Sequence, residues 1–283
     1  MQNIVILMAM QTAMTKNGPI EYRYEGAGEK TVVIFPGGHM DASVRLGEDY
    51  FLEHGYKILA LSRPGYGGTP LSAGPSPDMY AEGVAEIIRQ NKLGKCVVLG
   101  ISAGGRSAVW LTAKYPELVD KLILQSATSF APWPEGVVRV FAKIAFNPFV
   151  QKFTWKLMHW LVKRTDFGLK LMLSNMTTFN PQKVIDSLDA RQIQSLKQVF
   201  SRLKSGEGFM NDCKATPSPK EVKTPTLIIH SKYDKSVSLE HARILHESIV
   251  GSELMVSEVE SHMIWYGPHY EEIKEAMNNF LAR

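Results

Sequence analysis

The stretch KCVVLGISAGG, Lys95 to Gly105, decides how this chain is read. Its first half, Lys95 to Leu99, is short, rich in Val and Leu, and continuously apolar rather than alternating. That is the pattern of a strand buried on both faces of a parallel sheet. The strand runs into Gly100-Ile101-Ser102-Ala103-Gly104, and a helical pattern from Ser107 to Tyr115 follows. A bare G-x-S-x-G occurs by chance in many chains; its place between strand and helix is what gives it weight. A sharp strand-to-helix turn crowds the backbone on both sides of the serine, so glycines are needed there. The serine is then held at strained angles with its hydroxyl projecting from the sheet edge. The backbone N–H of Ala103 falls at a helix N-terminus, where partial positive charge stabilises an oxyanion.

Similar strand signals lie on either side. Thr31 to Phe35 ends in Pro36-Gly37-Gly38, Lys57 to Leu61 in Arg63-Pro64-Gly65-Tyr66-Gly67-Gly68, and Lys121 to Leu124 in Gln125-Ser126. Thr226 to His230 and Glu253 to Val256 resume the series near the C-terminus. Helical patterns at Pro77 to Gln90 and Glu271 to Leu281 complete a βαβ order, which predicts an α/β fold with a mostly parallel sheet flanked by helices. From Phe130 to about Pro217 the alternation stops. This interval holds nine of the twelve Phe and three of the five Trp, with thirteen Lys and Arg against six Asp and Glu. Helices are expected over Val137–Phe146, Phe149–Lys163 and Ile193–Leu203. The division expected is a core of residues 1–129 and 218–283 with a helical lid, residues 130–217, set into it.

Composition narrows the classes. With 283 residues, 45% hydrophobic and 21% charged, the chain can bury a sizeable core and is neither disordered nor fibrous. A net charge of +4 is too small to argue for nucleic acid. Two cysteines, Cys96 and Cys213, make no disulfide framework and fit a reducing, cytoplasmic setting. No apolar run is long enough for a membrane span. The opening MQNIVILMAM has no Lys or Arg before Lys16 and no small-x-small cleavage site, so Met1 to Gln11 is expected as an extra strand or a packed arm, with an export or anchoring segment as the alternative.

A serine hydroxyl needs a base to become a nucleophile, and the base needs a carboxylate to orient it. Asp234 stands four residues past the Thr226–His230 strand. His262, in Ser261-His262-Met263, stands in the loop before the last helix. Both loops leave the sheet on the edge that carries Ser102, because parallel strands end on one side. His269 is a rival base near the start of the closing helix; His230 reads as a packed strand residue. His54, His159, His241 and His246 read as surface or helix residues, and Glu258 and Glu260 as solvated. The histidines lack H-E-x-x-H spacing, so no metal is expected. Ser102 stands where the G-x-G-x-x-G fingerprint needs glycine, so no dinucleotide or other cofactor is expected either.

With its order Ser, Asp, His, the chain resembles the α/β-hydrolase fold family, serine hydrolases with a helical lid, over about residues 15 to 283. The resemblance implies Ser102 as nucleophile, Asp234 as acid and His262 as base. It also implies an oxyanion hole from the N–H groups of Gly38 and Ala103. Pro36 departs from the histidine usual before that glycine pair, which changes the loop's packing and removes no needed donor. Arg63-Pro64-Gly65-Tyr66-Gly67 resembles the family's structural loop after the fourth strand. Some relatives carry the acid near the position of Ser126, but no Asp or Glu lies between Asp120 and Glu135. Ser102 itself argues against the dehalogenases and epoxide hydrolases, whose nucleophile is an aspartate.

The activity expected is hydrolysis of a carboxylic ester or related acyl compound through an acyl-enzyme. A carbon–carbon bond hydrolase, a cofactor-free perhydrolase or a proline iminopeptidase would use the same triad, and a non-catalytic small-ligand sensor would keep the same fold. Candidate substrate contacts are His39, Trp133, Trp155, Met158 and Met263. Other lid aromatics (Phe141, Phe146, Phe153, Trp160) and Met172 and Met176 either line an apolar pocket or pack the lid on the core. The partner expected is a small acyl substrate and no nucleic acid. The lid's basic and aromatic residues would also suit contact with a membrane surface, although a solvated basic face is the plainer account.

Overall fold

A computed structural model describes residues 10–134, 145–147 and 149–283. Eight strands form one sheet: β1 (Gln11–Thr15), β2 (Gly18–Glu25), β3 (Thr31–Phe35), β4 (Lys57–Leu61), β5 (Cys96–Ile101), β6 (Val119–Gln125), β7 (Thr226–Ser231) and β8 (Glu253–Ser257). Their order is β1-β2-β4-β3-β5-β6-β7-β8. The β1–β2 hairpin and its pairing to β4 are antiparallel, and the remaining pairs are parallel. Six of these strands lie where the apolar runs put them. The hairpin was not foreseen, because β2, GPIEYRYE, mixes charges with aromatics as an edge-side antiparallel strand does. The strand or arm expected over Met1–Gln11 falls almost wholly outside the described residues, as does the helix expected over Val137–Phe146.

The sheet explains the continuous apolar runs. Within β3, Val32 and Ile34 face one core cluster while Val33 and Phe35 face another, so each run supplies both faces. Helices α2 (Pro77–Gln90), α3 (Gly105–Lys114) and α9 (Leu239–Ser248) cover one face. The short α1 (Asp49–Glu53) and α10 (Tyr270–Leu281) cover the other.

Between β6 and β7 lie α4 (Gln151–Arg164), α5 (Asp166–Leu173), α6 (Pro181–Asp186), α7 (Ala190–Phe200) and α8 (Gly208–Asp212). Polar side chains start three of them. Thr165 caps α5, Asn180 caps α6, and Asp189 with Gln192 forms a capping box at α7. Their buried residues, among them Trp155, Val162, Leu173 and Phe200, join the same cluster as the sheet face under α10. Among the described residues, no helix is long and apolar enough to cross a membrane.

The chain leaves β3 toward β4 on one side and crosses to β5 on the other, so the β3–β5 pair is the point where strand order reverses. A crevice opens at such a point, outside the carboxyl ends of the strands. The loop after β3 carries Gly37 and Gly38; the turn after β5 carries Ser102. Glycines bring the two together. A methyl group on Gly104 would sit 2.1 Å from the Phe35 carbonyl oxygen, and one on Gly100 would sit 2.7 Å from Ala108 Cβ.

Gly104→Ala must therefore push α3 away from the end of β3. We expect it to cost at least about 2 kcal/mol, read as a lowered urea midpoint at unchanged slope. A midpoint equal to that of the parent would contradict this close approach.

Candidate active site

Ser102 follows β5 at φ 49°, a left-handed conformation that costs a non-glycine residue energy and persists only where its surroundings hold it. The loop after β6 does the holding. Thr128 N–H donates to the Ser102 carbonyl at 3.0 Å, and Ser126, itself at φ 48°, donates its hydroxyl to the His262 carbonyl at 3.1 Å. One short loop thus ties the serine turn to the histidine loop. All three of Ser102, Asp234 and His262 are buried.

Asp234 and His262 are in direct contact, with His262 Nδ1 lying 2.5 Å from Asp234 Oδ2. A carboxylate only accepts, so Nδ1 carries the proton and Nε2 is left as an acceptor. The other carboxylate oxygen, Oδ1, accepts from the N–H groups of Ser236 (2.8 Å) and Val237 (2.9 Å). His230, buried at the end of β7, donates from Nε2 to the Val237 carbonyl at 2.9 Å, and the same nitrogen lies 3.4 Å from Asp234 Oδ2. Burial holds the His230 pKa below the usual imidazole value, against the pull of Asp234. The rival base His269 instead sits at the surface, 3.0 Å from Glu272. Glu258 is likewise exposed, paired with Lys232 at 2.6 Å.

On the other side of Ser102, a methyl group on Gly37 would meet Ser102 Cβ at 3.2 Å, and one on Gly38 would meet Ala103 Cβ at 3.8 Å. Arg63 fixes this loop. Its Nε donates to the Pro36 carbonyl at 2.8 Å and its Nη2 to the Gly37 carbonyl at 3.1 Å. In a trans peptide the N–H points opposite to the C=O, so the Gly38 N–H is turned away from Arg63. The guanidinium also grips the Asp212 carboxylate with both terminal nitrogens, and Tyr66 donates to the same carboxylate at 2.6 Å. Pro36, in place of histidine, thereby serves as an acceptor for Arg63.

Of the candidate substrate contacts, three surround this loop. His39, at φ 62°, stacks on Phe209 at 4.2 Å between ring centres, and lies against Phe146 and Trp155. Its Nδ1 and the indole N–H of Trp155 both reach the Ser205 hydroxyl, each at 2.8 Å. Trp133 is buried with its N–H donated to the Ser236 carbonyl at 2.8 Å, and its ring edge would lie 3.7 Å from a methyl group on Gly38. Met158 packs half-buried at the margin of the core cluster under α10, and Met263 lies fully inside it.

Several contacts escaped sequence reading. Met176 accepts the His262 N–H at 2.7 Å, Thr178 N–H donates to the Tyr233 carbonyl at 3.0 Å, and Thr177 bonds the Glu260 carbonyl. The β6–β7 segment is therefore stitched to both the aspartate loop and the histidine loop. Lys204 N–H donates to the His39 carbonyl at 2.7 Å on the opposite side. Such pairings span tens to hundreds of residues and leave no periodic trace. Among the described residues, no three His, Cys, Asp or Glu side chains gather to hold a metal ion.

The alpha/beta hydrolase fold model matches residues 30–266. An uncharacterized hydrolase of Bacillus subtilis, YcgS, is 31% identical over 280 residues, 96% of this chain and 98% of the relative. The 2-hydroxy-6-oxononadienedioate/2-hydroxy-6-oxononatrienedioate hydrolase of Escherichia coli K12 is 28% identical, covering 91% of this chain and 89% of the relative. Among solved structures, an alpha/beta hydrolase fold protein from Nakamurella multipartita superposes with a TM-score of 0.81 at 23% identity, over 96% of this chain and 99% of that one.

The buried surroundings of His39 and the nearby Arg63 guanidinium push its imidazole down to about 3 from 6.5. The unfolded chain takes up this proton below pH 6.5 while the folded one resists until about pH 3, so stability falls as pH falls through that window. The slope from this one group reaches at most about 1.4 kcal/mol per pH unit. His39→Asn tolerates the positive φ and removes the titration. Its unfolding free energy should decline less steeply than the parent's between pH 6 and pH 4 in urea titrations; parallel profiles would contradict the assignment.

Proposed function

The chain belongs to the alpha/beta hydrolase fold family, and we propose that within it the protein is a serine hydrolase acting on a carboxylic ester or similar acyl compound. The observation that carries this reading is the buried His262–Asp234 pair, joined through the Ser126 loop to a serine held at positive φ. In this mechanism Nε2 of His262 takes the Ser102 proton and Ser102 Oγ attacks the acyl carbon. The carbonyl oxygen becomes an oxyanion, held by the N–H groups of Gly38 and Ala103. Asp234 stabilises the imidazolium, which then protonates the leaving alcohol. Water, deprotonated by the same histidine, attacks the acyl-enzyme and releases the acid.

Residues 130–217 act in this proposal as a lid on a core of residues 1–129 and 218–283. The side chains it packs beside the β3 loop are neutral and aromatic. His39 is uncharged at neutral pH, and Arg63 is spent on Asp212 and two carbonyls. That favours a neutral acyl substrate with apolar character, bordered by His39, Trp133, Trp155, Phe146 and Phe209. A carbon–carbon bond hydrolase is the second reading, which the name of the Escherichia coli relative favours. A dioate substrate would need cations facing it, and Arg63, the guanidinium beside the β3 loop, is already committed to Asp212 and two carbonyls.

Ser102→Ala should lower kcat on p-nitrophenyl acyl esters by about 10⁴-fold or more with the urea midpoint unchanged. A variant as active as the parent would refute the nucleophile. Turnover of a 2-hydroxy-6-oxo-diene dioate, with none of the esters, would select the second reading.

A further inference from the structure

The helix that covers the candidate site has a second face. Gln151, Trp155 and Val162 of α4 point into the protein. On the opposite side Phe153, Leu157 and Trp160 follow at helical spacing, all exposed, with Phe153 75% and Trp160 58% accessible. Phe149, just before the helix, extends this stripe at 86%, and Phe167 on α5 carries it past the Thr165 cap at 61%. A soluble face normally places polar residues here, so an exposed apolar ridge of this length marks a contact surface.

The charges beside the ridge say what it meets. Lys152, Lys156, Lys163, Arg164 and Lys170 flank it, and none of them is in an ion pair among the described residues. The only acidic residue from 149 to 173 is Asp166, 3.1 Å from Lys197. A second copy docking by the same face would set these cations against their own kind. An anionic lipid surface meets both features at once. Aromatic side chains on a convex ridge sink into the headgroup layer, Trp sits at its interface, and lysine stems reach back to the phosphates.

We propose that the α4–α5 ridge of Phe149, Phe153, Leu157, Trp160 and Phe167, with its flanking lysines, docks this protein peripherally on anionic membranes. The proposal is independent of the chemistry at Ser102.

Co-sedimentation with extruded vesicles tests it. The intact protein should pellet with phosphatidylcholine vesicles containing phosphatidylglycerol, stay in solution with pure phosphatidylcholine, and be released as NaCl is raised. The double variant Phe153→Ser/Trp160→Ser and the double variant Lys152→Glu/Lys156→Glu should each weaken partitioning at least about tenfold, since each removes one of the two attractions. Both leave ester turnover and thermal midpoint unchanged. Failure of the intact protein to bind the anionic vesicles overturns the proposal. So does equal binding of the parent and either variant. A concentration-dependent dimer in sedimentation velocity that Phe153→Ser/Trp160→Ser abolishes, without vesicle binding, would assign the ridge to a second copy instead.

Discussion

Everything about the candidate site depends on how closely α3 is pressed against the ends of β3 and β5. The approach is possible only because Gly100 and Gly104 carry no side chain, and it leaves the residue between them in a left-handed turn. The strained turn at Ser102 is held by a specific bond, from Thr128 N–H to its carbonyl. The same loop bonds the His262 carbonyl through Ser126. A backbone constraint at one turn is in this way transmitted to the position of an imidazole that comes 160 residues later in the chain.

The segment between β6 and β7 is more than a cover. It reaches the β3 loop through Lys204 and Arg63–Asp212, and the aspartate and histidine loops through Met176, Thr177 and Thr178. The Arg63–Asp212 pair is nearly dry. Loss of one partner would strand the other and cost on the order of 3 kcal/mol or more. Opening of the proposed lid as a rigid body would have to break these contacts together.

Much of this was legible in the sequence. β3 and β4 match the apolar runs Thr31–Phe35 and Lys57–Leu61 residue for residue, and α2 matches its helical pattern, because burial on both faces and helical periodicity leave strong local signals. β2 was missed since two of its three charged residues, Arg23 and Glu25, are buried by pairing with each other rather than excluded from the interior. The contact of Asp234 with His262 was anticipated from their shared sheet edge together with the family resemblance. What that order could not reveal was the support: Ser126, Asp212, Ser205 and the Met176–Thr178 stitch are ordinary residues made consequential by distant partners. His39 was singled out for its place beside Gly38, but its aromatic cage of Phe146, Trp155 and Phe209 comes from three separate stretches of chain.

The central claim is that Ser102 is a nucleophile armed by His262. Reaction with a fluorophosphonate, followed by intact-mass and peptide mass spectrometry, addresses it without knowledge of the natural substrate. The account predicts one phosphonyl group per chain, carried on the peptide that contains Ser102, with a labelling rate that collapses in His262→Ala. A chain that stays unlabelled, or one labelled at another serine, would contradict it.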